Sequence, residues 1–179
     1  MTGAKLGKAR RLAAAGTLAM LSVMLMGSTG LTTNFDGRLL AAHNRERTAA
    51  GIAPLEWNDS LAADAAEWAS YLAELNDLEH SPDDPDDPDP QGENLWLGTQ
   101  GHYSPEAMVG MWIDEKSHYK PGIFPDNSRT GDLEDIGHYT QLMWRDTARV
   151  GCARQANGEY DILVCRYAAA GNVIGERPF

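Results

Sequence analysis

The chain has 179 residues, with 15 lysines and arginines against 26 aspartates and glutamates, a formal net charge of −11. Such a surface repels nucleic-acid phosphates and anionic lipid headgroups, which argues against a nucleic-acid partner. The length suits one domain with its own core.

Lys5, Lys8, Arg10 and Arg11 form a basic start, Leu12 to Met26 is apolar and uncharged, and Ser28 and Gly30 are small residues spaced like a cleavage site. This pattern reads as a secretory signal peptide over residues 1–30. The apolar run falls short of the roughly 20 residues that a membrane-spanning helix needs, so no stable membrane insertion is expected once it is removed. Its loss takes away four basic residues and no acidic one, moving the charge from −11 to −15. The expected location is extracellular or periplasmic.

Asn34 to Gly51 reads as a helix, with Leu39, Leu40 and His43 on one face, Arg45, Glu46 and Arg47 at polar positions, and Gly51 as its stop. Pro54-Leu55-Glu56-Trp57 reads as a connector. Asn58 is a good N-cap, and Leu61, Ala65, Trp68, Leu72 and Leu75 recur at helical spacing on one apolar face. Asn58-Asp59-Ser60 also matches a glycosylation sequon, but capping accounts for Asn58.

Residues 81–90 carry four prolines and five aspartates, which predicts a solvated acidic loop in preference to a calcium loop. Gly92 to Leu97 reads as extended. Ser104-Pro105-Glu106 starts a helix expected to run to about Tyr119, and 121–136 reads as a long surface loop. Gly137 to Trp144 is expected to be a strand, with His138, Thr140, Leu142 and Trp144 on one face. Asn157-Gly158 is a hairpin signal between strand-like flanks and sets Cys152 across from Cys165. An even cysteine count in an exported chain then suggests a disulfide. Helices and strands come in blocks, which suggests an α+β layered fold.

Four polar residues interrupt apolar patterns or lie beside them: His80, Glu93, Glu115 and His138. They occur in His80-Ser81, in Gly92-Glu93-Asn94, three residues after Trp112, and in Gly137-His138-Tyr139-Thr140-Gln141. With His43-Asn44, Arg47, Leu55-Glu56-Trp57, Val150-Gly151-Cys152 and Gly171-Asn172, they resemble the signature of the CAP superfamily. That superfamily comprises cysteine-rich secretory proteins, venom antigens and plant pathogenesis-related class 1 proteins. The likeness runs from about residue 37 to the C-terminus.

The resemblance implies a single domain over 34–179, folded as a three-layer α-β-α sandwich around a small antiparallel sheet. It implies that His80, Glu93, Glu115 and His138 line a cleft, with His80 and His138 able to take zinc or another divalent metal and no cofactor required. Imidazoles of this kind are good zinc ligands, and carboxylates beside them fix one tautomer.

The leading expectation is a monomeric, non-enzymatic binding module for a sterol, a fatty acid or a cell-surface partner. Tyr103, Trp112, Tyr119, Phe124, Tyr139 and Trp144 are available either to a lipid groove or to the core. The alternatives are a metal-assisted or acid–base hydrolase using the same four residues, and a defence or surface protein without a small ligand. With only two cysteines in this sequence, the cysteine-rich module of some relatives is not expected here, and the channel-blocking functions tied to it are not expected to carry over.

Overall fold

The computed structural model describes residues 34–82 and 86–179; residues 1–33, which include the expected signal peptide, and three residues of the acidic loop lie outside them. Four helices and four strands follow in the order α1 (Phe35–Ala49), β1 (Glu56–Trp57), α2 (Asp59–Leu75), β2 (Gly92–Thr99), α3 (Pro105–Asp114), α4 (Gly137–Met143), β3 (Arg149–Ala156) and β4 (Tyr160–Ala168).

Local signals set most boundaries. Asn34, Asn58 and Ser104 each turn a side-chain oxygen to a first-turn N–H, of Gly37, Leu61 and Ala107 respectively, satisfying donors the helix cannot. Pro105 occupies the first turn of α3, where its missing N–H costs nothing. That helix ends at Asp114, short of Tyr119, and tightens into one 3-10 turn over Glu115–Ser117. Asn157-Gly158 turns the β3–β4 hairpin, with Gly158 at φ +98°.

The sheet order is β1-β3-β4-β2. β4 pairs antiparallel with β3 on one side and with β2 on the other, placing Cys152 opposite Cys165 and Glu93 opposite Arg166. The two cysteines are joined as a disulfide. The connector at Glu56–Trp57 is in fact an edge strand running parallel to β3, so the sheet is mixed rather than wholly antiparallel.

Central β4 is buried on both faces, and its period of two sends alternate side chains to two cores. Ile162 and Val164 pack with Leu95 against Ala65, Ala69 and Leu72 of α2. Leu163, Cys165 and Tyr167 face the second core, with Leu39 of α1, Met108 and Trp112 of α3, and Leu142 of α4. One helix on one face and three on the other make the three layers.

Several expectations are corrected. Residues 137–144 form a helix, not a strand. Its β-branched and aromatic residues suggested a strand, but tertiary contacts on every side override that preference. Tyr139, Thr140, Gln141, Leu142 and Met143 are all buried, as in a helix surrounded by protein. The 121–136 segment has no regular element, yet Phe124, Asn127, Ser128 and Ile136 are buried, so it is not a simple surface loop. Arg47 is fully buried rather than at a polar surface position. Leu75, expected in the apolar face of α2, is 43% exposed. The described part of 81–90 holds neither helix nor strand, and Asp86, Asp87 and Asp89 are exposed.

Two glycines sit at close packing contacts. A Cβ on Gly151 would lie 2.2 Å from the Ala62 backbone nitrogen, so α2 seats its first turn directly on β3. A Cβ on Gly92 would lie 2.0 Å from Gln141 Oε1, so the Gln141 side chain of α4 closes onto β2 there and would have to move for any larger residue.

Candidate functional site

The four polar residues singled out from sequence meet as two histidine–carboxylate pairs. His80, beyond the end of α2, donates Nδ1–H to Glu93 Oε1 at 2.6 Å. Glu93 stands at the start of β2, and its Oε1 also accepts the Ser81 backbone N–H at 3.2 Å. Its Oε2 faces Arg166 Nη2 at 3.0 Å, an ion pair across the β2–β4 ladder. The carboxylate is therefore held from three sides. The imidazole is exposed: the His80 side chain is 68% accessible and that of Glu93 only 7%.

The second pair has the same logic on different elements. Glu115, in the 3-10 turn after α3, accepts His138 Nδ1–H on Oε1 at 2.5 Å and the Tyr139 N–H on Oε2 at 3.0 Å. Ile136, at the N-cap of α4, has no side-chain acceptor to offer its first turn. Glu115 fills that need from outside and places negative charge where the helix dipole favours it. One carboxylate thus both starts the helix that carries His138 and orients its ring. Trp112 lies parallel to that ring, with centroids 6.0 Å apart. A carboxylate can only accept, so both histidines carry hydrogen on Nδ1 and keep Nε2 as their remaining ring nitrogen.

A buried chain of hydrogen bonds supports the second pair. Asn94, beside Glu93 but pointing to the opposite face of β2, donates to the His138 carbonyl at 3.1 Å and to Tyr167 Oη at 3.2 Å. Tyr167 Oη and His43 Nε2 are 2.8 Å apart, and His43 Nδ1 lies 2.8 Å from the Leu39 carbonyl. Because that carbonyl can only accept, His43 is protonated at Nδ1 and its Nε2 accepts the Tyr167 hydroxyl. Burial lowers the His43 pKa to about 4, reinforced by the nearby Arg47 charge and opposed by the Leu39 hydrogen bond. Burial also raises that of Tyr167. In the first turn of α4, Asn172 accepts from Thr140 Oγ1 at 2.7 Å and donates to the Gly137 carbonyl at 2.9 Å, so the Gly171-Asn172 tail fixes the start of the helix.

His43 is a core residue, and His102 and His118 are exposed. Trp112, Tyr119, Phe124, Tyr139 and Trp144 are buried, so these five serve the core rather than an open groove; Tyr103 alone of the six is exposed. Sequence reasoning missed Arg166, the N–H of Tyr139 and the stacking of Trp112. The first had a readable signal, since Glu93 and Arg166 are opposite-charge partners once the strand register is set.

The donor set can be weighed against the metal expected at His80 and His138. Each Nδ1 is committed to a carboxylate. Among the described residues, no group of three or more His, Cys, Asp or Glu is placed to hold a metal ion. A closed zinc centre takes four ligands, so these residues do not make one, and no chemical step is derived through a metal.

Comparison with known proteins bears on the family and the fold. The model of the family described as "CAP: Cysteine-rich secretory protein family" matches residues 40–167. Pathogenesis-related protein 1C of Nicotiana tabacum is 40% identical over 141 residues, 78% of either chain. Pathogenesis-related protein 1 of Arabidopsis thaliana is 36% identical over 141 residues, 78% of this chain and 80% of that one. Among solved structures, "Structure of BmVAL-1" superposes with a TM-score of 0.64 at 21% identity, covering 79% of each chain. "Crystal structure of NaASP2 with Zn2+" reaches 0.60 at 20% identity, covering 79% of this chain and 83% of that one. At such identities the structural likeness speaks for the fold alone.

Proposed function

This chain belongs to the CAP family of cysteine-rich secretory proteins, and on that premise we propose that it is an exported defence or surface-interaction protein that binds and does not catalyse. Several relatives are named pathogenesis-related proteins, which motivates the defence setting. Among the described residues no helix is long and apolar enough to cross a membrane. The Cys152–Cys165 disulfide suits an oxidising compartment.

The observation that carries the binding reading is that the imidazoles are held in place by carboxylates while, among the described residues, no serine, threonine or cysteine side chain is hydrogen-bonded to His138 as a nucleophile would be. Glu93 is engaged by His80, Ser81 and Arg166, and Glu115 by His138 and the N–H of Tyr139. The carboxylates orient the rings, and in the hydrolase alternative an imidazole would be the base. Polar groups oriented in this way suit recognition by a partner's polar groups. A partner surface is preferred to a sterol or fatty acid because five of the six aromatic candidates are packed in the core.

The test compares wild type with His80→Ala/His138→Ala for binding to cell-wall and membrane preparations of the producing organism, alongside hydrolysis of nitrophenyl esters and peptides. Saturable binding weakened at least about tenfold in the double variant, about 1.4 kcal/mol, is the expected result. Ester or peptide turnover that disappears in Glu93→Gln or Glu115→Gln would replace this reading with the hydrolase.

A further inference from the structure

No lysine or arginine occurs between Arg47 and Lys116, whereas 16 of the chain's 26 acidic residues do. That stretch includes all of α2, the one helix on its side of the sheet among the described residues. Its Leu61, Ala65, Ala69 and Leu72 are buried. The apolar stripe is wider than the core uses, however. Trp68, Tyr71 and Leu75 lie at three- and four-residue steps along its edge, and Leu78 follows just past the helix end. Tyr71 is 44% exposed, Leu75 43% and Leu78 36%.

These side chains are already ordered. Trp68 and Tyr71 stack with centroids 4.6 Å apart. Trp68 Nε1–H donates to the Glu79 carbonyl at 3.1 Å and Tyr71 Oη–H to Glu79 Oε1 at 2.8 Å. Asn76, left-handed at φ +60°, turns the chain so that Leu78 and Glu79 fold back beside the aromatic pair. A stacked pair fixed in this way loses little entropy on binding. Glu67, Glu74 and Asp77 surround the patch and are exposed. The nearest cations are engaged or distant. Arg166 is paired with Glu93, Arg154 lies over Phe35 toward the opposite layer, and Arg149 sits beside Asn58 and Ser60 at the other end of α2.

We propose that the Trp68–Tyr71–Leu75–Leu78 face of α2 is a docking surface for a basic amphipathic polypeptide segment, whose aliphatic or aromatic side chains meet the apolar patch while its lysines and arginines meet the acidic rim. The charge asymmetry selects this occupant. An anionic bilayer or nucleic acid is repelled, and a neutral apolar partner would leave the rim uncompensated. The surface works independently of the His138–Glu115 pair.

The test uses a fluorescein-labelled amphipathic peptide of leucine and lysine, with a leucine and glutamate peptide as control, against the whole protein. Wild type should bind the first saturably, with affinity falling as salt rises, and should not bind the second. Tyr71→Ser/Leu75→Ser changes no charge and should weaken binding at least about tenfold, while His138→Ala leaves it unchanged. Leu78→Ser, outside the helix, should weaken binding in the same direction and serves if the double variant loses helix content by circular dichroism. Equal binding by the serine variants would mean bulk charge alone and overturn the proposal. So would absence of binding, or a Trp68 emission shift produced by phosphatidylcholine vesicles and not by the peptide.

Discussion

His43 shows how one buried residue links the site to stability. Its ring accepts from Tyr167 and donates to Leu39, so only the neutral form fits both partners. Burial holds its pKa at about 4, below the ordinary value of 6.5. The unfolded chain therefore binds the proton first as pH falls. Stability should be full above pH 6.5, decline between about 6.5 and 4, and lose about 3 kcal/mol from this group by the end of that window. Urea unfolding at pH 7, 6, 5 and 4 measures this. The isosteric idea is tested by His43→Gln, which should start less stable but show a shallower decline. Identical slopes in the two proteins would remove His43 as the cause. Sequence alone placed His43 on one helix face with Leu39 and Leu40 but gave no role for it, because a histidine on such a face does not disclose its partners.

Among the elements, α4 was least legible and Arg47 explains much of why. The guanidinium reaches from α1 to four backbone carbonyls: Nε to Ala53 at 2.9 Å, Nη1 to Leu142 at 2.9 Å and Trp144 at 2.8 Å, and Nη2 to Thr147 at 2.8 Å. Three of them, those of Leu142, Trp144 and Thr147, end α4 and lead into β3, and the fourth lies in the connection after α1. Burial lowers the Arg47 pKa to about 10. A helix of seven residues that borrows its N-terminal cap from Glu115 and its C-terminal donors from Arg47 cannot be seen in its own sequence. The longer helices could be, because Asn34, Asn58 and Ser104 cap them locally. The four site residues were likewise identifiable, but which histidine pairs with which glutamate depends on the sheet register and on α4. Arg47→Lys offers one ammonium in place of a planar fork and strands carbonyls in the interior. It should cost about 3 kcal/mol or more, against nearly nothing for Arg45→Lys at the exposed position. Thermal unfolding of the two variants compares them, and a tolerated Arg47→Lys would mean that water substitutes for the missing donors.

At the scale of the whole molecule, what matters is whether the fold depends on its disulfide or on its cores. Cys152 and Cys165 are opposite residues of neighbouring strands, 13 apart in sequence, and both are buried in the core between the sheet and α1, α3 and α4. Closing so short a loop removes modest entropy from the unfolded chain, about 3 kcal/mol in the entropic account. The rest of the architecture does not rely on it. β4 is paired along both edges and covered on both faces, and α2 is seated on Gly151 by direct backbone contact. A sheet strand so enclosed is held by apolar burial on each side, the term that dominates folding in a chain of this size. Cys152→Ala/Cys165→Ala should therefore remain folded, with native far-ultraviolet circular dichroism, but with its urea midpoint lowered by the equivalent of about 3 kcal/mol. Loss of the native spectrum in that variant at neutral pH would show instead that the bridge is required for the two cores to assemble. An unchanged midpoint would show that the paired strands already restrict the unfolded hairpin as much as the bond does.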